Sequence, residues 1–427
     1  MKHSVKQVEL SNGSKGLFVH IPDATVMTYE INFRAGEYLL ERNKWETAHL
    51  MEHVLLGANE LYPRARDFQE EVEKNGAYSN ASTNVYDITY EAECADFEWD
   101  RILSLIVLAI TKPLFLQSEF EAEFGNVREE LSAHSNNHFR HLSLALREAY
   151  GMLSMRDHER LEKMQNVTVD DVRSHYKATH TSDNMRFVVA GNITPERQDA
   201  LTKIFETIDL EKGVGRKPLP KEFPVSINQP LYIEQPGVDN VYFYLDTYAL
   251  RWLRNSEIDA LSMANNMLTG TLHSKILGAA RELGLVYGMS SNYSRSHDAS
   301  NWWFGAQIRP ENVTKVFEIM NREIMRVRTG KISDKDVVMA KQYALGSFQR
   351  SDQTVFSTGN GYSRRFFYDD ELDDYYAIPK RIESVTKESI VSVANTLFDN
   401  KVHGFGVLGT CGRQFVVDTY KSLDELW

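Results

Sequence analysis

Two cysteines in 427 residues, one in each half of the chain, supply neither a disulfide framework nor a thiolate metal site. Cys94 and Cys411 therefore read as reduced thiols, and the expected location is cytoplasmic. Runs of about 18 apolar residues, the length of a membrane span, are also missing. The best stretch, Ile102 to Ile110, is interrupted by Ser104 and has the length of part of a core helix. With no such run, no membrane partner is expected, and the opening MKHSVKQVEL lacks an apolar segment, so export by a signal peptide is not expected. Blocks of Lys and Arg are absent too, and 60 acidic against 48 basic residues leave a net charge of −12. Such a chain repels phosphates, which argues against nucleic acid as a partner. Acidic residues gathered around a catalytic centre would favour basic or neutral peptides.

What the chain does contain is 42% hydrophobic residues, enough to bury the cores of two or more domains, and one dense chemical motif. His49-Leu50-Met51-Glu52-His53 puts two imidazoles and a carboxylate on one side of a helical turn, because residues three and four apart are neighbours on a helix. His49 and His53 can share a metal while Glu52 reaches a water bound to it, which is the apparatus of metal-assisted hydrolysis. The order is H-x-x-E-H, the inverse of the commoner H-E-x-x-H. Zinc in a hydrolytic site takes three protein ligands and leaves the fourth place to water. One more ligand must therefore come from elsewhere. The segment from Phe120 to Leu131 reads as a helix, and it offers Glu123 and Glu130 seven residues apart, on one face after two turns.

A helix with H-x-x-E-H, followed by a second helix carrying E-x-x-x-V-x-x-E, resembles the pitrilysin/insulinase family of zinc peptidases, which includes the mitochondrial processing peptidases. The resemblance implies Zn2+ as cofactor, Glu130 as third ligand, Glu123 as the group supporting the site from behind, and Val127 as the matching apolar position. Glu129, one residue from Glu130 on a different helical face, is the rival for the ligand role. Phe33-Arg-Ala-Gly-Glu37 is similar to the family's stretch before the zinc helix, and Tyr62-Pro63 falls at the usual distance after it. Asn80, Ala81, Ser82 and Thr83, continuing to Thr89-Tyr90, resemble the edge strand on which family members lay out substrate. A free strand edge pairs with a peptide backbone whatever its side chains. Residues 274–287, SKILGAARELGLVY, resemble the stretch that supplies an Arg and a Tyr to the substrate carbonyl and oxyanion, which implies those roles for Arg281 and Tyr287. The chain also departs from the pattern. Between Arg281 and Gly284 it is one residue shorter, Glu46 stands where Gly is usual, and Leu56 and Ala58-Asn59 replace a Phe and a Gly-Thr pair.

The two halves repeat one another. Val385 and Phe405 each fall 218 positions beyond Val167 and Phe187, the corresponding starts of a V-T helix entry and a short strand. Between the halves, residues 211–224 mix Gly, Pro and charge without periodicity, as a linker does. The expected domains are 1–210, with the zinc centre, and a homologous 225–427. Aligning Gly57 with Gly270 places Ser262, Asn265 and Asn266 where the first half has His49, Glu52 and His53, so the second copy lacks the metal chemistry. Alternating stretches such as Val26 to Phe33 and Val241 to Asp246 predict strands. Helical spacing covers 45–57, 64–75, 96–110, 117–149, 168–177, 255–268, 311–328, 333–349 and 386–397. Strands broken by helices without regular alternation predict an α+β fold, each domain an antiparallel sheet covered by helices on one side.

Chemistry and resemblance together imply a zinc-dependent endopeptidase in which Glu52 is the general base. Peptide substrates would lie extended along the strand at Asn80. The resemblance also implies that a chain of this size pairs with a second subunit, as a homodimer or as a heterodimer with a homologous one. The alternative is a scaffold subunit that no longer cuts peptides. His134, His138 and His141, on the continuation of the Glu130 helix, read as polar surface rather than ligands. The stretch from Arg364 to Asp374 reads as a solvated loop.

Overall fold

Alternation along each predicted strand decides the architecture. In the computed structural model, which describes residues 1–296, 298–399 and 402–427, two sheets form. The first contains β1 (Ser4–Glu9), β2 (Lys15–His20), β3 (Val26–Phe33), β4 (Tyr78–Thr83), β5 (Ile88–Ala95) and β6 (Arg186–Gly191) in the order β1-β2-β6-β3-β5-β4. The second contains β7 (Leu231–Glu234), β8 (Val241–Ala249), β9 (Met289–Arg295), β10 (Ser300–Ile308) and β11 (Val402–Gly409) in the order β7-β11-β8-β10-β9. Each sheet is antiparallel apart from one parallel pair, β2 with β6 and β7 with β11. The two orders superimpose when β2, β6, β3, β5 and β4 are matched to β7, β11, β8, β10 and β9. This is an α+β fold with one architecture used twice.

The chain divides into two compact units. The first comprises Met1–Ala133, His158–Pro220 and Gln349–Asp373, the second His134–Asp157, Lys221–Phe348 and Asp374–Trp427. All strands of the first sheet lie within 1–210 and all strands of the second within 225–427, but two helices do not follow those halves. Helix Val355–Asp369 packs on β3 and β6, and helix His138–Ala149 packs on β8 and β11. Both faces of each sheet are therefore covered, rather than one. Close approach requires glycine: a Cβ at Gly406 would lie 2.9 Å from Leu146 Cδ1, and one at Gly359 would lie 2.9 Å from Ala190 Cβ.

Covering the second face explains two differences from the sequence reading. The residues around Arg364 belong to the Val355–Asp369 helix, with Phe366 and Phe367 buried, and not to a solvated loop. Its buried positions, Val355, Thr358, Gly359, Tyr362, Ser363, Phe366 and Phe367, follow a helical stripe, but Thr, Gly and Ser hide that stripe from a count of apolar residues. The expected helix over 117–149 is two helices, Gln117–Ser135 and His138–Ala149, with Asn137 capping the second by accepting from Arg140 N. A further helix, Pro195–Glu206, carries a start signal in Thr194-Pro195 that periodicity alone does not register. No helix among the described residues is long and apolar enough to cross a membrane.

A carboxylate marks the covered face of the first sheet. Glu30 of β3 accepts from Asn360 Nδ2 at 2.8 Å and from Ser363 Oγ at 2.5 Å, and burial pushes its pKa up to about 7 against those two bonds. Its folded pKa lies above the unfolded one. The stability it contributes is thus complete below about pH 4.5 and is lost as pH rises through about 7. Glu30→Gln is expected to shrink the fall in melting temperature between about pH 5 and pH 8, measured by circular dichroism. An unchanged fall would assign the pH dependence to another group.

Candidate metal centre

The central helix of the first unit, Thr47–Leu55, is buried on most of its surface, with Ala48, Leu50, Met51, Val54 and Leu55 in the core. Glu52 and His53 are half-buried. The helix ends against Gln117–Ser135: Ala58 N donates to Glu119 Oε1 at 2.7 Å, and a Cβ at Gly57 would meet the same oxygen at 2.5 Å. The partner helix docks through Phe120, Val127 and Leu131, and this stripe turns Glu123 and Glu130 toward the histidines.

His49 Nε2 and His53 Nε2 lie 3.5 Å and 3.6 Å from the same Glu130 oxygen, Oε2. One ligand atom from each of His49, His53 and Glu130 falls within 4.8 Å of the others. A tetrahedral ion roughly 2.1 Å from each donor holds its donors ~3.4 Å apart, so this set fits a divalent cation with little movement. Glu129 is 78% exposed, lies 3.8 Å from the guanidinium of Arg128, and is not in the group that His49, His53 and Glu130 form. Geometry thus favours Glu130 over its rival.

Both rings use Nδ1 for a carboxylate, which leaves Nε2 to face the centre. His53 Nδ1 is 3.0 Å from Glu123 Oε2, and that bond to His53 holds the Glu123 carboxyl below its ordinary range. His49 Nδ1 is 3.1 Å from Glu46 Oε2. Glu46 is fully buried, and Arg160 forks onto it with Nε at 2.5 Å from Oε1 and Nη2 at 3.0 Å from Oε2. Burial raises the Glu46 carboxyl, but Arg160 and His49 outweigh it and hold the group below its usual value. Burial likewise opposes a charge on His49, yet Glu130 and Glu46 push its pKa up to about 9. Glu37, beside Arg160, is raised to about 7 by burial.

Glu52 accepts from Thr83 Oγ1 at 2.8 Å. Thr83 ends β4, which pairs with β5 and is otherwise the edge of its sheet. On that strand Ala81 faces the core while Asn80 and Ser82 are exposed. Arg281 and Tyr287 belong to the second unit. There the Arg281 guanidinium lies 5.0 Å from the centre of the Tyr287 ring and donates to the Tyr287 carbonyl, and Tyr287 is 88% exposed. In the repeat of the metal helix, Asn255–Leu268, Asn265 is buried and accepts from Trp302 Nε1 at 2.8 Å and Ser291 Oγ at 2.6 Å. A hydrogen-bond network thus occupies the position that Glu52 has in the first unit.

In the sequence Glu46 stands out only as a departure from the family pattern, and nothing there points to Arg160 or to the role of Thr83. Glu46 stands three residues before His49, a spacing that would have exposed it as a partner. Arg160 lies 114 positions from Glu46, and nothing local announces it.

Residues 19–155 match the model of the family described as Insulinase (Peptidase family M16), and residues 166–343 match that described as Peptidase M16 inactive domain. The mitochondrial-processing peptidase subunit beta of Saccharomyces cerevisiae is 20% identical over 425 residues, 94% of this chain and 90% of the yeast protein. The insulin-degrading enzyme of Drosophila melanogaster is 28% identical over 123 residues, 29% of this chain but only 12% of the fly enzyme. Among solved structures, a protease from Helicobacter pylori matches with a TM-score of 0.80 at 18% identity, over 95% of this chain and 100% of that one. A peptidase M16 inactive domain from Pseudomonas fluorescens matches with a TM-score of 0.82 at 16% identity, over 95% and 98% of the two chains. The two family models lie side by side over most of the length, and the chain belongs to the insulinase family of M16 peptidases.

Proposed function

We propose that this chain is a zinc-dependent endopeptidase that hydrolyses peptides or unfolded polypeptide bound as an extended strand along β4. The observation that carries the reading is the convergence of His49, His53 and Glu130 on one point, with Glu52 on the same helix. A zinc ion held by these three, when bound, supplies Lewis-acid polarisation of the scissile carbonyl and acidifies water. The residues of the chain do the rest. Glu52 takes a proton from the attacking water as the new C–O bond forms, and returns it to the amine nitrogen as the C–N bond breaks. Thr83 ties one Glu52 oxygen to the end of the strand that receives the peptide, which couples the base to the substrate backbone. Arg281 and Tyr287 are the proposed donors to the developing oxyanion. Backbone pairing along β4 makes selection depend more on length and unfoldedness than on strict sequence.

Zinc analysis and digestion of a peptide library, with and without chelator, test the proposal together. Stoichiometric zinc with chelator-sensitive cleavage supports it; stoichiometric zinc with no cleavage of any peptide would favour the scaffold alternative.

The proposed assembly is a pair of subunits, identical or homologous, a reading supported by the yeast relative named as a subunit and aligned over nearly all of both chains. Arg281 and Tyr287 would then act on the centre of the partner. Mixing Glu52→Gln with Tyr287→Phe subunits is expected to restore roughly a quarter of wild-type turnover if such subunits exchange freely. Absence of any recovery in the mixed sample would place those residues in the same subunit as the metal they serve.

A further inference from the structure

We propose that Glu46 and Arg160 form a clamp that fixes the His49 ring and sets the affinity of the centre for its metal, a proposal that rests on the zinc reading above. Glu46 has no solvent exposure, and both of its oxygens are engaged by Arg160 while Oε2 also faces His49 Nδ1. Rotation of the ring would break this contact, so Nε2 is held toward Glu130 Oε2. A buried carboxylate and guanidinium add little to stability, since apolar side chains of similar volume serve as well or better. Their presence beneath a ligand points to orientation of that ligand instead.

The other ring is held more loosely. Its partner Glu123 is 22% exposed and is met by Asn126 Nδ2 at 3.1 Å rather than by a cation. The two supports are therefore unequal, and the Glu46 side is the stiffer. Arg160 is a positioning residue brought in by the Asp157–Lys163 helix, which is itself tied to the segment before the metal helix through Arg42 and Glu159 at 2.7 Å. Glu37, with Oε1 3.8 Å from Arg160 Nη2, is the carboxyl left nearest the guanidinium when Glu46 is truncated, and Glu46→Gln keeps the volume and an acceptor at position 46.

The test uses the full chain and four variants: Glu46→Ala, Glu46→Gln, Arg160→Lys and Glu123→Ala. Zinc affinity is read by competition with a chromophoric chelator, coordination by the visible absorption of the cobalt-substituted protein, and folding by the melting temperature without metal. Glu46→Ala is expected to weaken zinc binding by about 10- to 100-fold and to alter the cobalt spectrum, and also to lower the metal-free melting temperature, so the affinity comparison is made at a temperature where the metal-free variant is folded. Glu123→Ala should cost less. Glu46→Gln, which keeps shape and an acceptor, and Arg160→Lys, which keeps the charge, should each recover part of the loss. Unchanged zinc affinity in both position-46 variants would overturn the clamp. A wild-type chain that takes up no zinc would instead overturn the reading of the centre itself.

Discussion

Glu52→Gln is expected to retain one zinc per chain and to lower peptide turnover by about 10²- to 10⁴-fold. The substitution removes a proton acceptor and leaves the three proposed ligands untouched. Thr83 Oγ1, which donates to Glu52 Oε2, can donate equally to the amide oxygen of Gln, so the side chain stays in place. The expected pattern is a fall in kcat with little change in KM, because the missing proton transfer belongs to the transition state. Parallel zinc analysis and steady-state kinetics on a quenched peptide decide the matter. Turnover within about threefold of wild type would remove Glu52 from the role of base.

The second large effect separates Glu130 from Glu129. Zinc at about 1,000 times its dissociation constant should stabilise the wild-type chain by ~4 kcal/mol, because only the folded chain presents the three donors together. Glu130→Gln replaces an anionic ligand with a neutral amide and is expected to abolish this stabilisation at the same zinc concentration. The metal-free variant should differ from wild type by less than about 1 kcal/mol, since the Glu130 side chain is 40% exposed and the docking stripe Phe120, Val127 and Leu131 is intact. Glu129→Gln alters a side chain 78% exposed and should leave the zinc response unchanged. Thermal denaturation of the three proteins with and without zinc tests the assignment. An equal zinc response in Glu130→Gln and wild type would exclude Glu130 as a ligand.

The parts of the centre that sequence made legible share one property: their geometry follows from helical spacing. His49, Glu52 and His53 are neighbours on any helix, as are Glu123, Val127 and Glu130 on theirs. Strand β3 spans Val26–Phe33, the stretch whose alternation predicted it, and the free edge at Asn80 follows from short-range pairing in the β4–β5 hairpin. Spacing within one element cannot show what packs on its far side. Arg160 reaches Glu46 from a helix 114 positions away, and the Val355–Asp369 helix reaches β3 from the opposite half of the chain. That helix was also hidden by composition, because close packing on a sheet favours the small residues Gly359 and Ser363 over large apolar ones.

Sequence by itself determined the repeated α+β plan and singled out His49, Glu52, His53 and Glu130, on which the proposed chemistry rests, because these depend on residue type and on periodicities within single elements. Only the tertiary structure decided how each imidazole is aimed, which of two adjacent glutamates faces it, and which helix closes the second face of each sheet. Those outcomes depend on contacts between segments distant along the chain, where burial and hydrogen bonding act through space and leave no local pattern to read.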